Sequence, residues 1–253
     1  MKSKDQETEL EREAEEQEAE VERKKGFARF REILGQDFMK LLFSGELALV
    51  GLIPFGAGCV AAIVCRSLGL AAIFGAIGGI VAAPQICGIL DTTLRSLRDE
   101  PGFWWMTYKA AWKQNIKSAV APGAVFGAVV SLVVISLYYT DLTSASGTAL
   151  VLSLLGVLLL ISMMFLVLVQ IPLMQLSFFQ MLRNALMMFV RLTGRSLLAS
   201  AVIILYYVLA TAFFPSSLIF LMILNTWFPV LVSLMLLYRD LNTILQIEAR
   251  RDT

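Results

Sequence analysis

The chain has 253 residues, of which 58% are hydrophobic and only 16% are charged, and its mean hydropathy is +0.74. This composition excludes an ordinary soluble domain. The formal net charge is +1, and we expect no nucleic-acid partner. Histidine is absent, which removes the most common metal ligand and the usual acid–base group at neutral pH.

Residues 1–25 form an acidic arm with ten acidic and six basic side chains. Its few apolar positions are too sparse for a coiled-coil seam. The arm is therefore predicted to be a solvated helix or disordered, with an acidic binding segment for a basic partner as the alternative.

Residues 26–44 differ from the arm, because five large apolar residues share one helical face there. This pattern predicts an interfacial amphipathic helix. The apolar residues are Phe27, Phe30, Leu34, Phe38 and Leu41.

Six apolar segments follow, each close to the roughly 20 residues that a helix needs to cross a bilayer. They predict an all-α membrane protein, a bundle of about six transmembrane helices within residues 45–245, followed by a cytoplasmic tail at 246–253. Glycine pairs spaced four apart predict close helix packing at Gly75 and Gly79 and at Gly123 and Gly127. The predicted spans are 45–65, 69–90, 119–139, 148–170, 197–214 and 217–238.

The connection between the second and third spans carries a turn and a dense aromatic and basic cluster. Asp99-Glu100-Pro101-Gly102 predicts the end of a helix, since Pro101 disfavours helix at Glu100 and Gly102 tolerates a positive φ. The helix after it, over 103–117, is predicted to lie in the membrane interface or to dock a partner. The residues proposed for that role are Trp104, Trp105, Tyr108, Lys109, Trp112, Lys113 and Lys117.

A third amphipathic element is predicted over 177–192, where Phe178, Leu182, Leu186 and Phe189 form an apolar stripe. With the elements at 27–42 and 103–117, it predicts amphipathic helices on the cytoplasmic face. Twenty of the 21 lysines and arginines fall on one side of the predicted topology, so both termini are predicted to be cytoplasmic. Anionic lipid headgroups are the expected partners of these basic residues.

Polar residues inside the spans are candidates for the bundle interior. Glu46 and Asp91 fall at predicted helix ends, where water can reach them. Amides within a membrane serve either as interhelical hydrogen-bond partners or as the lining of a polar path, and the sequence leaves both open. The amides in question are Gln85, Gln170, Gln175 and Asn225.

No catalytic, cofactor or metal motif is present, and a Ser–His or Cys–His pair is impossible without histidine. The sequence therefore predicts a non-enzymatic protein without cofactor. Cys59, Cys65 and Cys87 are predicted to be small packing residues rather than disulfides.

Three segments carry a resemblance to the YesL-like family of bacterial membrane proteins. They read ICGILDTTLRSLRDEPGFWWMTYKAAWKQNIKSAV, NALMMFVRLTGRSLL and SLMLLYRDLNTIL. The chain departs from the family's pattern by its acidic arm, by an added apolar segment around 45–65, and at Tyr108 and Ile116, which stand where the family usually has phenylalanine. The resemblance implies a multi-pass plasma-membrane protein without enzymatic activity that is associated with carbohydrate ABC transport, and it supplies no catalytic residue.

Three functions are therefore considered. The first is an accessory protein that contacts ABC transporter subunits, and an oligomer is compatible with it. The second is a small-solute transporter or channel, which needs a polar path through the bundle. The third, a membrane enzyme, is the least favoured, because the chain has neither histidine nor a catalytic motif.

Overall fold

The computed structural model describes residues 26–140 and 146–245, which fold into helices without strands. The all-α class predicted from the sequence is confirmed. The acidic arm at 1–25 and the tail at 246–253 lie outside the described residues. The helices are α1 (Phe27–Val64), α2 (Leu68–Arg98), α3 (Trp104–Tyr139), α4 (Gly147–Gln170), α5 (Phe178–Arg191), α6 (Thr193–Ala212), α7 (Leu218–Leu224) and α8 (Trp227–Leu245).

Six of the described helices are long and apolar enough to cross a membrane, namely α1, α2, α3, α4, α6 and α8. Large apolar side chains are exposed along them, for example Ile53, Leu152 and Leu205. Exposed aliphatic surface on this scale is costly in water and is expected where lipid surrounds a helix. The protein is therefore a multi-pass membrane protein in contact with the lipid bilayer.

The chain divides into two units, residues 1–38 and 39–253, and helix α1 belongs in part to each of them. It is continuous from Phe27 to Val64, so the predicted interfacial element at 26–44 and the predicted span at 45–65 belong to one helix. Within the described part of the first unit, the rings of Phe27 and Phe30 stack, and Arg29 pairs with Glu32 at 3.0 Å.

Helices α2 and α3 form a long antiparallel pair joined by the turn at 99–103. The predicted end of α2 is confirmed: the helix stops at Arg98, and the Glu100 N–H donates to the Arg95 carbonyl. The positive φ falls on Asp99 (+56°) rather than on Gly102, since aspartate also tolerates this conformation. Helix α3 spans about 54 Å at 1.5 Å per residue. Residues 104–117 therefore continue the third span instead of forming a separate surface helix.

The glycine pairs lie where α2 and α3 touch. A Cβ atom built on Gly79 would overlap the carbonyl oxygen of Gly123, and one on Gly75 would lie 2.6 Å from the carbonyl oxygen of Gly127. The Ser131 hydroxyl donates to the Ala71 carbonyl at the same contact. Absence of side chains thus allows the two backbones to approach closely.

The sixth predicted span, 217–238, is interrupted. Helix α7 ends at Leu224, and α8 begins at Trp227. Asn225 between them has φ −10° and ψ −145°, which is not helical. We call residues 225–226 the helix break. The prediction of one continuous helix is therefore wrong. Hydropathy detects the apolar run, but it does not show that side chains at the break replace the backbone hydrogen bonds of a helix.

The helix break lies at the end of the bundle where α2 and α3 are joined, called here the turn end. The Asn225 amide donates to the Leu42 carbonyl and to Glu46, while the ring of neighbouring Phe43 packs on Trp104 at the start of α3. The charge pattern instead predicts residues 213–217 at the opposite end from this turn.

Helix α8 runs from the turn end towards the other end. In its middle, the Ser233 hydroxyl donates to the Ala199 carbonyl of α6. Ser200, next to Ala199, shares a hydrogen bond with Ser162 of α4, eight residues before that helix ends at Gln170. These contacts join the middle of α8 to α6 and α4.

Cysteine labelling tests this arrangement. In a chain whose Cys59, Cys65 and Cys87 are replaced by serine, we expect Ser216→Cys and Asp99→Cys to react from the same side of the membrane. Thr140→Cys, just beyond the far end of α3, should react from the opposite side. Positions 99, 140 and 216 are all exposed, so each should be labelled readily. Reaction of positions 216 and 140 from the same side would contradict the contacts of the helix break.

Candidate functional site

A charged cleft of about 490 Å³ opens at the turn end. Its charged walls come from the last turns of α2 and from the turn itself, and its opposite wall comes from the residues that follow α4. We call it the charged cleft. It is lined by Asp91, Arg95, Arg98, Glu100, Pro101, Pro172 and Leu173.

Ion pairs fix the charged side chains of this cleft. Arg95 contacts Asp91 at 2.8 Å and Glu100 at 3.0 Å, and Arg98 contacts Glu100 at 3.1 Å. Asp91 and Arg95 are one helical turn apart on α2, and the left-handed residue at the end of α2 turns the chain so that Glu100 meets both arginines. The result is a network of two arginines and two carboxylates in which Arg95 is the most exposed, with 37% of its side chain accessible.

Asp91 is thus buried in an ion pair, whereas the sequence places it at a helix end open to water. The cleft contains no cysteine, serine or histidine that could act as a nucleophile or base. Fixed paired charges of both signs favour recognition of a partner with complementary charges.

The predicted aromatic and basic cluster divides between several environments. Tyr108 is only 3% exposed, and its hydroxyl donates to Gln85 at 2.8 Å, so this residue belongs to the contact between α2 and α3. Trp105 is 45% exposed, whereas Trp104 and Trp112 are half-buried. The three lysines of the cluster, Lys109, Lys113 and Lys117, are exposed along α3.

The four predicted interior amides do not form one path. Gln85 is half-buried and bound to Tyr108, and the buried Gln170 donates to the carbonyls of Leu166 and Met181. The prediction for Gln175 is wrong, since it lies in the connection after α4 and is exposed.

Asn225 is fully buried and forms the centre of the second polar site. Besides its donations to Leu42 and Glu46, its side-chain oxygen accepts from the Trp227 N–H at 3.0 Å. The Trp227 indole donates in turn to the Ile223 carbonyl, so side chains replace helical hydrogen bonds across the break. Irregular backbone at membrane depth is stable only with such replacements.

Glu46 is the carboxylate of this second site. It lies within α1, which begins at Phe27, and its side chain is half-buried. The signal available in the sequence was a single carboxylate inside the apolar stretch at 41–55.

Within the described residues, neither the cysteines nor a cluster of potential metal ligands forms a further site. Cys59 and Cys87 are buried, Cys65 is exposed, and all three are free thiols. No group of three potential metal-ligating residues occurs within residues 26–140 and 146–245.

The fold and these two sites define a multi-pass α-helical membrane protein with a charged cleft at one end and a buried polar helix break. No family model, curated protein or solved structure matches the chain.

Proposed function

We propose that the protein is a non-enzymatic accessory protein of the bacterial plasma membrane that binds a carbohydrate ABC transporter. The charged cleft is the observation that carries the proposal, since its two arginines and two carboxylates form a fixed pattern that a partner can match. Electrostatic complementarity of this kind gives specificity and orientation to an interface. The resemblance of the 84–123 region to the YesL-like family supports the choice of a carbohydrate transporter as the partner.

The orientation proposed for this function places the turn end in the cytoplasm. Lys109, Lys113 and Lys117 form an exposed row along α3, near the same end of the bundle. Each basic side chain contributes roughly 1 kcal/mol to attraction by an anionic membrane surface. In this orientation the lysines contact lipid headgroups while the charged cleft faces cytoplasmic subunits.

Filling the cleft tests the proposal. We expect transporter permease or ATPase subunits to be recovered with the wild-type protein from native membranes, and about tenfold less to be recovered with Leu173→Arg, which corresponds to roughly 1.4 kcal/mol of binding. Leu173 lines the cleft but belongs to none of its ion pairs, so the substitution adds bulk there without deleting a paired side chain. Quantitative mass spectrometry of the purified complexes gives the comparison.

Gln114→Arg provides the matched control, because it adds the same side chain to the exposed face of α3 outside the cleft. Recovery of the transporter should remain at the wild-type level with this variant. Equal recovery with Leu173→Arg and Gln114→Arg, or absence of transporter subunits from the wild-type sample, would refute docking through the cleft.

A small-solute transporter or channel is the second candidate, and the helix break favours it. Transporters often bind their substrates where a membrane helix is discontinuous. Solute uptake by proteoliposomes that contain only this chain would favour this function over the accessory role.

A further inference from the structure

An apolar groove of about 320 Å³ lies between α6 and α7 and shares no lining residue with the charged cleft. This volume is in the lower range of small-molecule sites, which are mostly apolar with a few polar groups. Its walls are aromatic and aliphatic, and the Ser217 hydroxyl is already bound to the Ala210 carbonyl. The principal lining residues are Tyr206, Leu209, Phe213, Phe220, Leu221 and Leu224.

Glu46 lacks a positive counterpart. Its carboxylate accepts one hydrogen bond from the Asn225 amide at 2.9 Å, and within the described parts of the chain it forms no ion pair. A carboxylate in apolar surroundings is expensive unless a cation or several donors compensate its charge. A ligand that brings positive charge would therefore be stabilised here.

Two residues connect this carboxylate to the groove. Tyr206 lines the groove beside the helix break, since its ring packs on Phe228 and the next residue, Tyr207, donates to Thr226. The buried hydroxyl of Tyr206 has no hydrogen-bond partner among the described residues. Leu224 lines the groove from the other side, and the next residue, Asn225, donates to Glu46. The carboxylate does not line the groove itself, but through Asn225 it lies next to the part of the groove that Leu224 forms.

We propose that this groove binds a lipophilic cation, with the apolar part of the ligand between α6 and α7 and its positive charge at Glu46. The aromatic rings of Tyr206, Phe213 and Phe220 add attraction for a cation, whereas the uncompensated carboxylate repels an anion of the same shape. This site is separate from the charged cleft and does not rest on binding of a transporter.

Binding of tetraphenylphosphonium to the purified full-length protein in detergent tests the proposal. We expect saturable binding in equilibrium dialysis with radiolabelled ligand, and at least tenfold weaker binding of tetraphenylborate, which has the same shape and the opposite charge. Glu46→Gln should weaken phosphonium binding by about tenfold or more. The control Asp99→Asn removes a carboxylate from an exposed position whose left-handed backbone asparagine tolerates, and it should bind as the wild type does.

A second variant keeps the test decisive if Glu46→Gln does not fold, as judged by gel filtration and helical circular dichroism. Leu221→Trp fills the groove and leaves the carboxylate in place, so we expect it to weaken phosphonium binding by a similar factor. Absence of saturable binding, equal affinity for the two ions, or unchanged binding by folded Glu46→Gln or Leu221→Trp would overturn the proposal.

Discussion

Replacing Gly79 with leucine should separate α2 from α3 and cost about 3 kcal/mol or more of folding free energy. The Cβ atom alone would overlap the Gly123 carbonyl oxygen and lie 2.9 Å from the Gly127 Cα atom. These neighbours are backbone atoms of a helix, so they cannot move aside as a flexible side chain would. Overpacking in a well-packed interior costs roughly 1–3 kcal/mol even where side chains can adjust.

The measurement for Gly79→Leu is unfolding by sodium dodecyl sulfate in mixed micelles, followed by tryptophan fluorescence. Gly156→Leu is the matched control, because Gly156 lies in α4 with no atom within 4 Å of its would-be Cβ position. Leucine has a better helix propensity than glycine, so the control should change stability by no more than about 1 kcal/mol. Equal losses for the two variants would show that the glycine contact is not what holds α2 and α3 together.

The sequence identified the elements of the bundle that depend on local pattern. The spans predicted at 69–90 and 148–170 correspond to parts of α2 (Leu68–Arg98) and α4 (Gly147–Gln170). A run of apolar residues with the length of a bilayer crossing is a local property, and so is a pair of glycines on one helical face. The turn after α2 was also readable, because Pro101 and its neighbours restrict the backbone directly.

The sequence did not identify features that depend on distant partners. The helix break requires Asn225 to meet Leu42 and Glu46, which are about 180 positions away in the chain. Likewise, the charged cleft combines the end of α2 with Pro172, and no periodicity relates the two segments. The hydroxyl contact of Ser162 with Ser200 was missed for the same reason, since serines are common in membrane helices and carry no local signal.

Long helices explain a second difference between prediction and structure. The polar segments at 26–44 and 103–117 were separated from the following spans because charged residues ended the apolar runs. The backbone shows no such end, since α1 and α3 continue through both parts. Charge marks where water begins to surround a helix, whereas a helix ends only where its hydrogen bonds or dihedral angles change.

Replacing Asn225 with leucine should destabilise the protein by roughly 2–4 kcal/mol, although the side chains have similar size. The substitution removes the donor to Glu46 and the acceptor for the Trp227 N–H, and leaves both groups buried or half-buried without these partners. Each buried polar group left unsatisfied costs about 1–3 kcal/mol. The same detergent unfolding experiment measures the loss, and Gln114→Leu, which removes an exposed amide from α3, should change stability by less than about 0.5 kcal/mol.

A double-mutant cycle shows whether the loss arises from the contact with Glu46. If the Asn225 amide stabilises the fold by solvating that carboxylate, the cost of Asn225→Leu should fall by about 1 kcal/mol or more in a Glu46→Gln background, because glutamine carries no charge to be solvated. Residues that act independently would instead give additive losses. Additivity would mean that the Asn225 side chain acts only through its hydrogen bonds with the backbone groups of Leu42 and Trp227.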